Sequence, residues 1–244
     1  MFKFFTRADK NTVNFSNIGV DMHSHLIPGI DDGAKTVEDS IALIRGLQDL
    51  GFEKLITTPH VYEDLYPNSK DDILRGLSEL KTALKAENII IPIEASAEYF
   101  MDEYFLDKQE ILPLSGKYVL VEMSFFGAPP ELESYIFKIQ LKGYTPILAH
   151  PERYRFYHND YTQFRELKEK GVLFQLNAMS LMGYYGKAIQ QIAQKLVQDK
   201  MIDLIGTDVH HLGHVEYIKS NIMNKEFQQL LSKYEFQNAA IFSA

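Results

Sequence analysis

The chain of 244 residues contains no cysteine. That absence removes disulfides, thiolate metal sites and cysteine nucleophiles together, and with the last of these any phosphatase mechanism built on a thiolate. Positive charge is also scarce: 25 Lys and Arg stand against 33 Asp and Glu, a formal net charge of -8. A nucleic-acid groove needs a Lys/Arg stripe, so none is expected. An anionic substrate would have to be met by local cations or metals. Long apolar runs are missing too. Met1-Phe2-Lys3-Phe4-Phe5 gives way at once to Thr6-Arg7-Ala8-Asp9-Lys10, too short for a signal peptide or a membrane span. The expectation is a cytoplasmic protein with no membrane insertion. There is no low-complexity tract and no internal repeat.

What is present is an ordinary globular composition, 45% hydrophobic and 24% charged, enough to bury a sizeable core. Short β-rich runs recur in alternation with helical periodicity. Ile18 to Met22 reads as a first strand. Thr36-Val37-Glu38-Asp39 forms a capping box, and apolar residues at 37, 41, 44 and 47 keep helical spacing up to Gly51. A second strand over 54–58 ends at Pro59-His60, and Ser69 caps a helix with apolar positions 73, 77, 80 and 84. Further strands are expected over 89–95, 118–122, 145–149, 172–176 and 202–207, with helices opening near Pro130 and spanning about Gly186 to Asp199. Seven strands alternating with helices indicate an α/β fold with a mostly parallel sheet. No linker interrupts the rhythm, so residues 18–244 read as one domain behind an N-terminal extension of residues 1–17.

The first strand carries the first chemical signal. His23 and His25 are two apart where the apolar character ends, so on a strand both imidazoles face the same side. With these two, residues with metal-ligating chemistry fall at the C-terminal ends of six of the seven expected strands: His23 and His25, His60, Glu98, Glu122, His150, and the pair Asp208 and His210. Scattered polar core residues would not sort onto one end of every strand. A doubly wound sheet gathers ligands at one switch point, whereas a closed barrel rings them around one mouth. The pattern favours the barrel. With Asp32 from the first loop, about nine N and O donors would converge, enough for two or three divalent ions. Imidazole and carboxylate without thiolate suit manganese, iron or zinc. Such a cluster hydrolyses phosphate esters: a water shared between two ions becomes hydroxide near neutral pH, and the ions hold the phosphoryl oxygens during attack. His158, His211 and His214 lack the strand-end placement and read as surface or supporting histidines.

The ordered set Asp21-Met22-His23-Ser24-His25, Thr58-Pro59-His60, Glu98, Glu122, His150-Pro151-Glu152-Arg153 and Asp208-Val209-His210 resembles the polymerase-and-histidinol-phosphatase (PHP) superfamily. Asp31-Asp32-Gly33 and the run from His150 to Tyr154 are similar to the bacterial tyrosine-protein phosphatases of capsule and exopolysaccharide operons, the CpsB and YwqE type. The resemblance implies a distorted seven-stranded (β/α)7 TIM-like barrel with three metal ions, often manganese. By it, His23, His25, Glu98 and Asp208 would hold the first ion. Glu98, Glu122 and His150 would hold the second, and Asp32, His60 and His210 the third. Arg153 takes the place of a phosphate clamp, a role its planar fork suits.

On this reading the chain is a protein-tyrosine phosphatase in which a metal-bridging hydroxide attacks phosphorus in line. The tyrosinate leaves with help from Asp208, His210 or a metal-bound water. The resemblance implies the tyrosine-rich tail of a bacterial tyrosine kinase as partner. Tyr99, Tyr154, Tyr157, Tyr184 and Tyr185 are expected on the mouth side, framing a peptide groove. The alternatives are a phosphatase for a small metabolite of the histidinol-phosphate type and a non-catalytic metal-binding module that regulates polysaccharide assembly.

Overall fold

A computed structural model describes residues 14–106 and 110–243. The expected residues 1–13 of the extension lie outside the described residues. Strands and helices alternate along the chain as β1 (Val20–Asp21), α1 (Val37–Asp49), β2 (Lys54–Thr57), β3 (His60–Val61), α2 (Lys70–Ala86), β4 (Ile93–Ala95), β5 (Glu98–Phe100), β6 (Tyr118–Glu122), α3 (Leu132–Leu141), β7 (Thr145–Ala149), α4 (Thr162–Glu169), β8 (Leu173–Asn177), α5 (Ala178–Leu181), α6 (Lys187–Gln198), β9 (Leu204–Gly206), α7 (Leu212–Asn221), α8 (Lys225–Lys233) and α9 (Asn238–Phe242). Every strand pair is parallel. The helix starts follow local chemistry. Thr36 and Asp39 close a capping box on α1, Ser69 and Asp72 close one on α2, and the four apolar positions of α2 named above are all buried.

The strands form a three-stranded sheet ordered β1-β2-β4 and a six-stranded sheet ordered β3-β5-β6-β7-β8-β9. The expectation of seven strands is thus replaced by nine shorter segments among the described residues. The second strand breaks at Thr58-Pro59, because Pro59 has no N–H for a ladder and the Thr58 N–H turns to the Ser24 carbonyl at 2.7 Å. The third is shorter than expected, starting at Ile93 rather than residue 89, with Ile90 91% exposed. It breaks again at Ser96-Ala97. His60 and Glu98 therefore begin new strand segments instead of following old ones.

Period-two alternation divides the core. Leu55, Val119, Val121, Leu148, Phe174 and Ile205 point to the helices and join a large cluster with α1, α2, α3, α4 and α6. Their neighbours Ile56, Leu120, Ile147, Ala149 and Leu204 point the other way and gather with Val20, Met22 and Phe242 in a second cluster. Strands of both sheets contribute to this second cluster. Between β1 and β9 the link is made partly by side chains: Asp21 accepts from the Thr207 N–H (2.9 Å) and hydroxyl (2.6 Å). Above it the Asp208 N–H donates to the His23 carbonyl (2.7 Å) and the His25 N–H to that of Val209 (3.0 Å). At the start of the described chain, Phe15 is buried and stacks on Phe52 at 4.7 Å.

Asn238 of α9 secures the lower end of this seam. Its amide accepts from the Ile205 N–H (3.0 Å) and donates to the Val20 (2.9 Å) and Ile205 (2.7 Å) carbonyls. Asn238→Ala should cost about 2–4 kcal/mol, because it strands buried backbone groups. The check is a urea unfolding curve with a lowered midpoint and an unchanged slope; a loss below about 0.5 kcal/mol would contradict the clamp.

Candidate metal centre

The ends of the strands bring the candidate ligands together. His23 and His25 follow β1 with their rings on one side, while Ser24 between them turns away and donates its hydroxyl to the Ile56 carbonyl at 3.2 Å. Asp208, Val209 and His210 follow β9 in the same manner, with Val209 bridged to Ser24. Asp31 and Asp32 come from the loop after β1, His60 opens β3, Glu98 opens β5, Glu122 closes β6 and His150 follows β7. All nine residues named from the sequence therefore converge in one cluster.

Glu98 is the shared centre. Its Oε2 lies 3.1 Å from His23 Nε2, 3.5 Å from His25 Nε2 and 3.3 Å from His60 Nδ1, and its Oε1 lies 3.1 Å from His150 Nε2. Asp208 Oδ1 is 3.4 Å from both His23 Nε2 and His25 Nε2, and these two nitrogens are 3.4 Å apart. Three overlapping groups could each hold an ion: His23, His25, Glu98 and Asp208; His25, Asp32, His60 and His210; and His60, Glu98 and Glu122. The first is the set implied by the resemblance. In the second, His25 joins Asp32, His60 and His210. In the third, His60 joins Glu98 and Glu122, with His150 at 4.0 Å from Glu122 Oε2.

The donor spacing suits divalent ions. A cation with bonds of about 2.1 Å separates adjacent ligand atoms by about 3.0 Å in octahedral and about 3.4 Å in tetrahedral coordination. The first group's separations of 3.1 to 3.5 Å fall on those edges. His150 Nδ1 is buried without a hydrogen-bond partner.

Supporting residues fix the ring orientations. His25 Nδ1 donates to Asp31 Oδ2 at 2.7 Å and His23 Nδ1 to Gln175 Oε1 at 2.8 Å, so both Nε2 atoms turn to the cluster. Asp31 also accepts from the Gly33 and His60 N–H groups, tying the first loop to β3. Gly33 and Gly206 leave room for this arrangement. A Cβ on the first would come within 2.4 Å of His25, and on the second within 2.7 Å of His23. His150 and Asp208 hold left-handed backbone conformations, with φ of 34° and 53°. Non-glycine residues adopt that conformation at a cost, and such costs concentrate at functional sites.

The charges are balanced within the cluster. Burial resists ionisation of Glu98, yet the His23 and His150 rings hold its carboxyl well below the usual range. Burial likewise opposes the charge on His25, but Asp31 and Asp208 hold its ring well above the usual value. For His60 burial and His25 pull down, while Asp32 and Glu122 raise it to about 10. The carboxylates thus stay ionised in a buried place and demand cations, as protons or as metal.

Arg153 lies beside the cluster. Its guanidinium donates to Asp208 Oδ2 at 2.9 Å and packs over the rings of Phe125 (4.7 Å) and Tyr185 (4.4 Å). Asn177 Nδ2 donates to the same carboxylate oxygen at 2.9 Å. Asn177 and Gln175 are not among the site residues expected from the sequence, and Asp31 is expected only as part of a motif. Both strand residues are polar positions on the inward parity of β8, between Phe174, Leu176 and Ala178, and that parity was the available signal. The expected tyrosine frame is corrected in part. Tyr99, Tyr154 and Tyr157 are buried, with Tyr99 accepting from the Leu112 N–H and Tyr154 from the Met123 N–H. Tyr184 is exposed, and Tyr185 is half-buried beneath the Arg153 guanidinium. His214 supports the site, its Nδ1 accepting from the His210 N–H at 3.2 Å.

The sequence matches the family of capsular polysaccharide synthesis proteins CpsB/CapC over residues 19–239. It is 31% identical over 229 residues to the tyrosine-protein phosphatase YwqE of Bacillus subtilis (strain 168), covering 91% of this chain and 90% of that protein. The tyrosine-protein phosphatase CpsB of Streptococcus pneumoniae is 27% identical over 229 residues, covering 90% and 93%. A crystal structure from the pair YwqE of Bacillus subtilis and CpsB of Streptococcus pneumoniae, described as unique metal-dependent tyrosine phosphatases, aligns with a TM-score of 0.77 at 27% identity. It covers 92% of this chain and 94% of that chain.

If Asp31 orients His25 for a metal, Asp31→Asn should weaken manganese binding about 10- to 100-fold with the fold retained. Titration calorimetry measures the affinity and circular dichroism the fold. Unchanged affinity would remove Asp31 from the centre.

Proposed function

The chain belongs to the CpsB/CapC family of capsular polysaccharide synthesis, and from that premise we propose that it is a metal-dependent protein-tyrosine phosphatase. The observation that carries the reading is the meeting of His23, His25, Asp32, His60, Glu98, Glu122, His150, Asp208 and His210 around one shared carboxylate, with Arg153 hydrogen-bonded at its edge. The named activity of the relatives is phosphotyrosine hydrolysis, and this donor set suits it. These nine residues are the proposed ligands of two or three divalent ions, manganese first, with iron or zinc as alternatives. Bound there, such ions supply a water acidified towards neutral pH and positive charge for the phosphoryl oxygens.

The chain's own groups do the rest. Arg153, held in place by Asp208 and two aromatic rings, grips phosphoryl oxygens with the N–H groups that Asp208 leaves free. Both oxygens of Asp208 are already engaged, by Arg153 and Asn177 on one side and by the histidines on the other. His210 stands at the more open edge of the cluster. A tyrosine oxygen with a pKa of about 10 leaves with little help.

The two sheets are best read as one distorted seven-stranded (β/α)7 barrel of the PHP type, in which β2 with β3 and β4 with β5 are interrupted single strands. The second apolar cluster, fed by both sheets, and the bonds between β1 and β9 support this reading. Residues 18–244 then form one phosphatase domain. The tyrosine-rich tail of a capsule-regulating tyrosine kinase is the proposed substrate, in the cytoplasm where that tail would lie. No helix among the described residues is long and apolar enough to cross a membrane.

The manganese-loaded protein should hydrolyse a phosphotyrosyl peptide in preference to histidinol phosphate. A hundredfold preference for the metabolite would overturn the reading, and metal content without hydrolysis of any phosphoester would point to a binding module. His150→Ala should abolish turnover of p-nitrophenyl phosphate with the fold intact, and undiminished turnover would contradict the proposed ligand set. Arg153→Ala should lower kcat/KM about 10²- to 10³-fold without changing metal content, with Arg153→Lys recovering part of the loss.

A further inference from the structure

One stretch of the mouth has no part in the chemistry so far. The loop between β6 and α3 carries Phe125 and Phe126, three and four residues after the proposed ligand Glu122. Phe126 is 99% exposed and Phe125 45% exposed. Two large apolar side chains side by side at a surface are unfavourable unless something else covers them. Phe125 is not a stray surface residue. Its ring stacks on His150 at 5.7 Å with a 29° interplanar angle, and the Arg153 guanidinium lies over it at 4.7 Å. It therefore touches both a proposed ligand and the proposed phosphate clamp, while part of the ring still faces solvent.

A phosphoryl group gripped by Arg153 would leave its ester substituent next to Phe125, and Phe126 is the next residue of the same loop. An alkyl substituent finds little there. An aryl substituent finds rings to stack on, which favours offset or edge-to-face contact. We propose that Phe125 and Phe126 form the wall that receives the aryl ring of the substrate and makes this site select aryl over alkyl phosphomonoesters. The inference rests on the phosphatase reading and adds the residues that set its substrate class. Phe125 has a second effect, since it also steadies Arg153. Its loss should weaken all phosphoryl ligands alike, whereas loss of the wall should weaken only those with a ring.

The test exploits that difference and needs no turnover. Calorimetry of the manganese-loaded protein with phenylphosphonate and with methylphosphonate gives two affinities whose ratio isolates the ring. The wild type should favour phenylphosphonate about tenfold. Phe126→Ala should reduce the ratio, and the double variant Phe125→Ala/Phe126→Ala should bring it close to one, with the melting temperature little changed. A Phe126→Tyr variant should keep the wild-type ratio. A ratio unchanged in the double variant overturns the proposal, even if both affinities fall together, as does a wild type that binds both phosphonates equally or neither. Failure of the phosphatase reading is recorded separately, as absence of hydrolysis of a phosphotyrosyl peptide by the wild type.

Discussion

A fully buried carboxylate, Glu98, surrounded by the rings of His23, His25, His60 and His150, is the constraint on which the rest of the site depends. An ionised carboxylate in that position is tolerable only if cations stand against it. Every neighbouring strand end supplies groups that either carry positive charge or hold one in place. The same crowding that would be destabilising among protons alone becomes favourable around divalent ions, because they concentrate more charge between donors spaced at ligand distance. The fold's contribution is to bring these groups together: parallel strands deliver residues at their ends to one cluster, and the apolar residues beneath them keep the strands in register.

The cost of this arrangement is visible in the backbone. His150 and Asp208 both sit in the left-handed region where glycine is favoured, at the ends of β7 and β9. Each turns sharply there: His150 brings its Nε2 to 3.1 Å from Glu98, and Asp208 brings its Oδ1 to 3.4 Å from the rings of His23 and His25. Asp208 is then locked by Arg153 and Asn177, and the β7 turn by the Arg153 N–H bonded to the His150 carbonyl at 2.9 Å. The strain is local and is offset by the seam below, where Asp21, Thr207 and Asn238 join β1 to β9 with buried hydrogen bonds.

Much of this was legible in the sequence. The capping box at Thr36 and the cap at Ser69 marked two helices, and β6 and β7 have the expected boundaries, since their runs are apolar, β-branched and sharply ended. The strand-end rule found eight of the nine converging residues, because parallel topology turns sequence position into spatial position; Asp32 came from the loop after the first strand. Hydrophobic runs were less reliable where pairing partners decide: Ile89 to Ile91 look like strand but lie outside it, and Pro59 splits a strand that composition alone would leave whole. The residues that orient the ligands were harder to see. Gln175 and Asn177 differ from ordinary polar strand residues only by facing inward, and Phe125 and Phe126 resemble core residues until the fold leaves them exposed.

The most direct test of the buried-carboxylate centre is anomalous diffraction from crystals grown with manganese. Strong manganese peaks bounded by His23, His25, Glu98 and Asp208, with at least one more sharing Glu98 or His25, are the expected result. Manganese found only at surface carboxylates, with Glu98 protonated or paired solely to histidines, would contradict it.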